Sequence, residues 1–99
     1  MLSAEASCVR VKAVSLAQLE YFVAVAEEGH VGRASLNLRV AQPAVSRQIR
    51  QLEDELGTRL FVRTPRGMRL SDSGEVFLGH ARAILGGVRA ARDAVRTGR

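Results

Sequence analysis

The stretch Ala41-Gln-Pro-Ala-Val-Ser-Arg-Gln-Ile-Arg-Gln-Leu-Glu-Asp-Glu-Leu-Gly57 constrains the fold of this chain more than any other. At about 100° per residue, Val45, Ile49, Leu52 and Leu56 fall in one narrow arc, the spacing that docks a helix on a core. Arg47 lies opposite that stripe, flanked by Pro43, Arg50 and Gln51, with Ser46 at its edge. Pro43 suits a first helical turn, where its missing N–H leaves no bond unmade, and Gly57 suits the stop. A helix that starts with small and amide-bearing residues and carries Arg at its outward centre fits the major groove of DNA. Glu53, Asp54 and Glu55 would be repelled by phosphates, so only the first two turns are expected to enter.

The flanking segments supply a scaffold for such a helix. Ser15 with Gln18 reads as a capping box, Leu19, Phe22, Val23 and Ala26 follow at helical spacing, and Gly29 ends the segment. These signals predict a first helix over about 16–28. A short second helix over roughly 32–38 would bury Ala34 and Leu38, with Val40 in the turn after it. A short helix, a tight turn and a longer outward helix make a helix-turn-helix, spanning about 31–50. After Gly57 the period changes. Arg59–Arg63 and Met68–Leu70 are short, partly apolar runs around Thr64-Pro-Arg-Gly67, whose residue types match a type I turn. This predicts a hairpin wing with Arg66 at its tip, placed to enter a minor groove.

A long final helix is predicted to start at Ser71 or Asp72, with Asp72 and Glu75 as a capping box. Phe77, Ala81, Ile84, Val88, Ala91 and Val95 recur at intervals of 4, 3, 4, 3 and 4 residues, a heptad seam without a partner in the chain. That seam implies a second helix from another copy. Leu78 and Leu85, on a neighbouring face, could pack back on the domain. Gly79, Gly86 and Gly87 weaken the helix by roughly 1 kcal/mol each, which favours a need for the partner. Residues 1–13 carry no period and read as a disordered tail.

Charge points the same way. The chain of 99 residues carries +5, and between Val31 and Leu70 eight arginines face three acids. Clustered Arg is the electrostatic footprint of phosphate binding, although a bias toward Arg codons could contribute. Cys8 is the one cysteine, which excludes an internal disulfide and a cysteine-rich zinc site. His30 and His80 are isolated, no serine sits in a nucleophile motif, and no glycine run cradles a phosphate. No metal, cofactor or catalytic group is expected. No apolar run reaches about 18 residues and no secretory leader is evident, so the chain reads as cytosolic.

The order of these pieces closely resembles the N-terminal DNA-binding domain of LysR-type transcriptional regulators. The matching stretches are Leu19-Glu-Tyr-Phe-Val-Ala-Val-Ala-Glu-Glu-Gly29, Gln42-Pro-Ala-Val-Ser-Arg-Gln-Ile-Arg-Gln-Leu-Glu53, Glu55-Leu-Gly-Thr-Arg-Leu-Phe61, Arg63-Thr-Pro-Arg-Gly-Met-Arg-Leu70 and Gly74-Glu75. The resemblance implies a mainly helical fold: a winged helix-turn-helix over 14–71, with three helices and a hairpin wing, then a linker and dimerisation helix over 72–99. It implies a homodimer on a dyad-like operator in double-stranded DNA. By motif position Gln42, Pro43, Ala44, Ser46 and Arg47 are expected to read bases, and Arg66 to enter the minor groove. Arg33, Arg50 and Arg63 are candidate phosphate partners; their rival role is an exposed ion pair, such as Arg50 with Asp54.

Three departures stand out. Gly32 and Ala41 stand where the family usually has hydroxyl residues that could cap the second and third helices, and Leu36 replaces a usually polar residue. Family members begin just before their first helix, so a start near Val14 is expected; a native peptide covering residues 2–12 would contradict it. Full members also carry an effector domain after the linker helix, whereas this sequence stops at Arg99. No small-molecule effector site is therefore expected in it. Two rival readings remain at this point. The chain could be a truncated interaction protein that heterodimerises with full-length regulators through its linker helix. A membrane-surface helix is suggested only by Arg82, Arg89, Arg92 and Arg96, and lacks aromatic anchors.

Overall fold

Phe22, Phe61 and Phe77 come from distant parts of the sequence and meet ring against ring. Phe22 packs at a tilt 5.3 Å from Phe61 and edge-on at 5.1 Å from Phe77. Such pairs add about 0.5–1.5 kcal/mol each beyond the area they bury. They join three of the elements in a computed structural model that describes residues 14–97. The elements run α1 (Leu16–Glu28), α2 (Val31–Leu38), α3 (Gln42–Leu56), β1 (Phe61–Thr64), β2 (Gly67–Leu70) and α4 (Asp72–Arg96). The core is Leu19, Phe22 and Val25 of α1, Ala34 of α2, Val45, Ile49 and Leu52 of α3, with Leu60, Phe61 and Ala81. This is a winged helix-turn-helix followed by a long helix. The tail predicted over 1–13 lies outside the described residues.

Local chemistry sets each boundary. At the start of α1 the Ser15 hydroxyl accepts from the Gln18 N–H, and the Gln18 carboxamide accepts from the Ser15 N–H, both at 3.1 Å. Gly29, at φ 69°, closes the helix. The cap of α2 differs from the expectation placed on Gly32. His30 occupies the cap in extended backbone, and its Nδ1 accepts from the Arg33 N–H at 3.3 Å. Gly32 lies inside the first turn instead. Ala41 caps α3 without any side-chain bond. Of the two candidates for α4, Ser71 is the cap: its Oγ accepts from the Gly74 N–H at 3.0 Å. The Asp72–Glu75 box is not formed, because Asp72 is already helical; both acids lie in the first turn, where the helix dipole favours them.

The apolar stripe of α3 is buried at Val45, Ile49 and Leu52, but Leu56 is 37% exposed, because the helix outruns the core. The hairpin pairs Thr64 with Gly67 and Phe61 with Leu70. It is seated by backbone. The Met68 N–H donates to the Gly29 carbonyl at 3.0 Å, and a Cβ on Gly67 would stand 2.2 Å from that same oxygen. Gly67 also has φ 144°, which only glycine adopts readily. At its other end the Ser71 N–H donates to the Leu60 carbonyl at 2.9 Å. A Cβ on Gly74 would lie 2.1 Å from that carbonyl oxygen.

The seam on α4 divides. Phe77 and Ala81 pack on the chain's own core, beside Leu78 and Leu85. This corrects the expectation that the whole seam lacks a partner within the chain: α4 crosses α1, and Arg82 bonds Glu27 there at 3.2 Å. Farther along, Ile84, Val88 and Val95 are 47%, 41% and 79% exposed.

Candidate nucleic-acid interface

Two polar anchors and one apolar stripe hold α3 in place. The stripe buries Val45, Ile49 and Leu52, leaving the opposite side of the helix outward. At mid-helix, Gln48 Oε1 accepts from Gln18 Nε2 at 3.1 Å. Near the C-terminus, Glu53 Oε2 accepts from the Leu60 N–H at 2.9 Å and the Phe61 N–H at 3.3 Å. Glu53 therefore turns inward, where it ties α3 to β1. The expectation that it stands with Asp54 and Glu55 as a barrier to phosphate is corrected by those two bonds. Asp54 and Glu55 remain exposed at the far end of the helix.

The wing and α3 face one another across a groove made of two hollows that share Val31, Arg63 and Met68 in their linings. Gln42 lines its upper part with His30, Gly32, Arg63 and Arg66. Ser46 and Arg50, one and two turns further along, line its lower part with Arg59 and Arg63. Gln42, Ser46 and Arg50 thus form an i, i+4, i+8 row directed toward the hairpin, which presents Arg63 and, at its turn, Arg66. Pro43 and Arg47 are exposed on the outward side of α3, and Ala44 is half-buried. Arg33 stands apart from this groove. Its Nε is 3.7 Å from Glu28 Oε1 and its Nη2 donates to the Glu28 carbonyl at 3.2 Å.

The groove is mostly basic: Arg50, Arg59, Arg63 and Arg66 line it against one acid, Glu53, whose Oε2 is taken by two backbone amides. Among the described residues the ion pairs are Arg33–Glu28 and Arg82–Glu27. Arg47, Arg50, Arg59, Arg63 and Arg66 take part in neither, and the Arg50–Asp54 pair considered from sequence does not form. A row of guanidinium groups beside an exposed helix start can accept a polyanion over its length. Among the described residues, no group of three or more His, Cys, Asp or Glu is placed to hold a metal, and no helix is long and apolar enough to cross a membrane.

Three contributors were not legible as such in the sequence. His30 looked isolated, yet it caps α2 and lines the groove; its place directly after Gly29 was the available signal. Gln18 was visible only as half of a capping box, and its bond to Gln48 spans thirty residues. Glu53 was grouped with two acids that it does not accompany. Its position beside Leu52 and four residues after Ile49 could have shown that it borders the buried stripe.

Comparison with known proteins adds a family and a fold. A family model described as "Bacterial regulatory helix-turn-helix protein, lysR family" matches residues 16–75. The HTH-type transcriptional regulator ClcR of Pseudomonas putida is 52% identical over 68 residues, which is 69% of this chain and 23% of ClcR. AlsR of Bacillus subtilis is 49% identical over 72 residues, 73% of this chain and 24% of AlsR. The chain thus spans about a quarter of the length of these curated relatives. A crystal structure of a CbnR_DBD–DNA complex matches with a TM-score of 0.80 at 40% identity, over 85% of this chain and 97% of that one. The BenM_DBD complex with benA site 1 DNA matches with 0.81 at 36% identity, over 86% and 99%.

Proposed function

This chain belongs to the LysR family of bacterial regulatory helix-turn-helix proteins, and on that premise we propose that it binds duplex DNA as the reading module of a cytoplasmic transcriptional regulator. The observation that carries the reading is the arginine-lined groove between the first turns of α3 and the wing. DNA complexes of the similar CbnR and BenM structures support it. In this account α3 enters the major groove, with Gln42, Pro43, Ala44, Ser46 and Arg47 at base edges. Arg66, at the hairpin turn, enters the adjoining minor groove. Arg50 and Arg63 hold phosphates between the two. Arg33 also serves a phosphate, since its exposed pairing with Glu28 is worth little in water and can be exchanged.

A homodimer follows from α4. Ile84, Val88, Ala91 and Val95 continue the seam beyond the point where the chain's own core ends, and a matching helix from a second copy would cover them. Phe77 and Ala81 extend the same line into the domain. Two half-sites on one face of the duplex would then be read together. The role is recognition and carries no chemical step, so neither cofactor nor catalytic residue enters the account.

Selection of bound sequences from random duplexes, at two salt concentrations, tests this directly. The expected result is an enriched dyad whose affinity falls steeply with salt. Recovery of no preferred sequence would overturn it. Sedimentation of the chain and of Val88→Asp tests the dimer: the variant should shift toward monomer, and identical behaviour would remove α4 from the interface.

A further inference from the structure

Gln18 is the most deeply buried polar side chain among the described residues, at 6% exposure. Its carboxamide is divided between two tasks. Oε1 accepts from the Ser15 N–H at 3.1 Å, closing the cap of α1. Nε2 donates to Gln48 Oε1 at 3.1 Å, reaching α3 across the helix pair. Gln48 is half-buried and lies one turn beyond Ala44 on the same face of α3. It directly follows Arg47. The amide bridge therefore ties the cap of one helix to the middle of the other, at the edge of the arc that carries Ala44 and Arg47.

Apolar contact alone leaves the rotation of α3 weakly defined, because burial of Val45, Ile49 and Leu52 is non-directional. Two directional contacts remove that freedom. Glu53 fixes the C-terminal end of α3 to β1, and the Gln18–Gln48 bond fixes the middle. The N-terminal end has no side-chain cap at Ala41, so for the first two turns the amide bridge is the nearest directional restraint. It also settles the polarity of Gln48. With Oε1 turned to Gln18, the Gln48 NH2 points its two donors away from that bond and is free to meet a DNA strand.

We propose that Gln18 is a positioning residue for sequence reading: without touching DNA, it sets the rotation of α3 and the donor polarity of Gln48, and so tunes discrimination at the bases nearest Ala44. The proposal rests on the reading of α3 as the DNA-reading helix. It assigns specificity to a buried residue of the first helix, outside the helix-turn-helix itself.

The test is a double-mutant cycle on the full chain with Gln18→Met, Gln48→Met and the pair, read as the affinity ratio of a selected duplex over random duplex. Each single variant should lower the ratio about three- to tenfold, the range of one net hydrogen bond. The double variant should be no worse than the poorer single one, since both remove the same bond. Base-by-base profiling should place the loss near Ala44, with the flanks assigned to Arg66 unchanged. Ser15→Ala weakens the cap of α1 while keeping the bridge; it should lower the melting temperature and leave the ratio intact. An unchanged ratio in Gln18→Met, losses that add in the double variant, or an equal fall in Ser15→Ala would each overturn the proposal. If the unaltered chain shows no preference for any duplex, it is the proposed function that fails.

Discussion

The two halves of α4 follow one heptad pattern and meet different surroundings. Its first turns carry Gly74 pressed against the Leu60 carbonyl, Phe77 against Phe22, and Ala81 fully buried. Its last turns carry Val88, Ala91 and Val95 in solvent. The period alone states that these residues share a face. What covers the face depends on where the helix crosses α1, which the sequence pattern does not encode. The contrast divides α4 in two: the first half locks the wing to the body, and the second stays exposed, where the proposed dimer would use it.

Substitutions along α4 should fall off in the same order. Gly74→Ala is the most severe, because the new methyl would lie 2.1 Å from a backbone oxygen; a loss of about 3 kcal/mol is expected in chemical denaturation. A neutral result would mean that the Leu60–Ser71 corner is looser than described. Phe77→Ala should cost about 2–3 kcal/mol, below the range for a fully buried ring because Phe77 keeps some exposure. Gly86→Ala and Gly87→Ala face open space and should raise helicity, each favouring the helix by up to about 1 kcal/mol. Circular dichroism would check the gain; a loss of helicity would show that the second half needs its glycines. Val95→Ala should change the stability of the body by less than about 0.5 kcal/mol. A larger loss in dilute protein would erase the distinction between the halves.

Much of this architecture is readable from residue order. Ser15, Gly29, Gly57 and the Thr64–Gly67 turn mark boundaries because each acts through its immediate neighbours. The same holds for the buried stripe of α3 up to Leu52. Features that failed to be readable depend on chain segments meeting in space. His30 replaced Gly32 as a cap because imidazole Nδ1 can do what a hydroxyl does. Glu53 parted from Asp54 and Glu55 because two strand amides lie within its reach. Gln18 reaches Gln48 only because α1 and α3 pack side by side. At the interface the candidate residues of α3 and the wing could be named in advance. Their grouping could be read only in part: the helical spacing already set Pro43 and Arg47 outward, but that Gln42, Ser46 and Arg50 face the wing depends on where the hairpin docks.

The central claim is that α3 discriminates among DNA sequences while the surrounding arginines supply affinity for any of them. Titration of the chain and of Arg47→Ala with a selected duplex and with random duplex, at matched salt, tests it most directly. The account predicts a loss of about 1–3 kcal/mol on the selected duplex, with little change on random DNA. Equal losses on both would contradict it and make Arg47 one more phosphate contact.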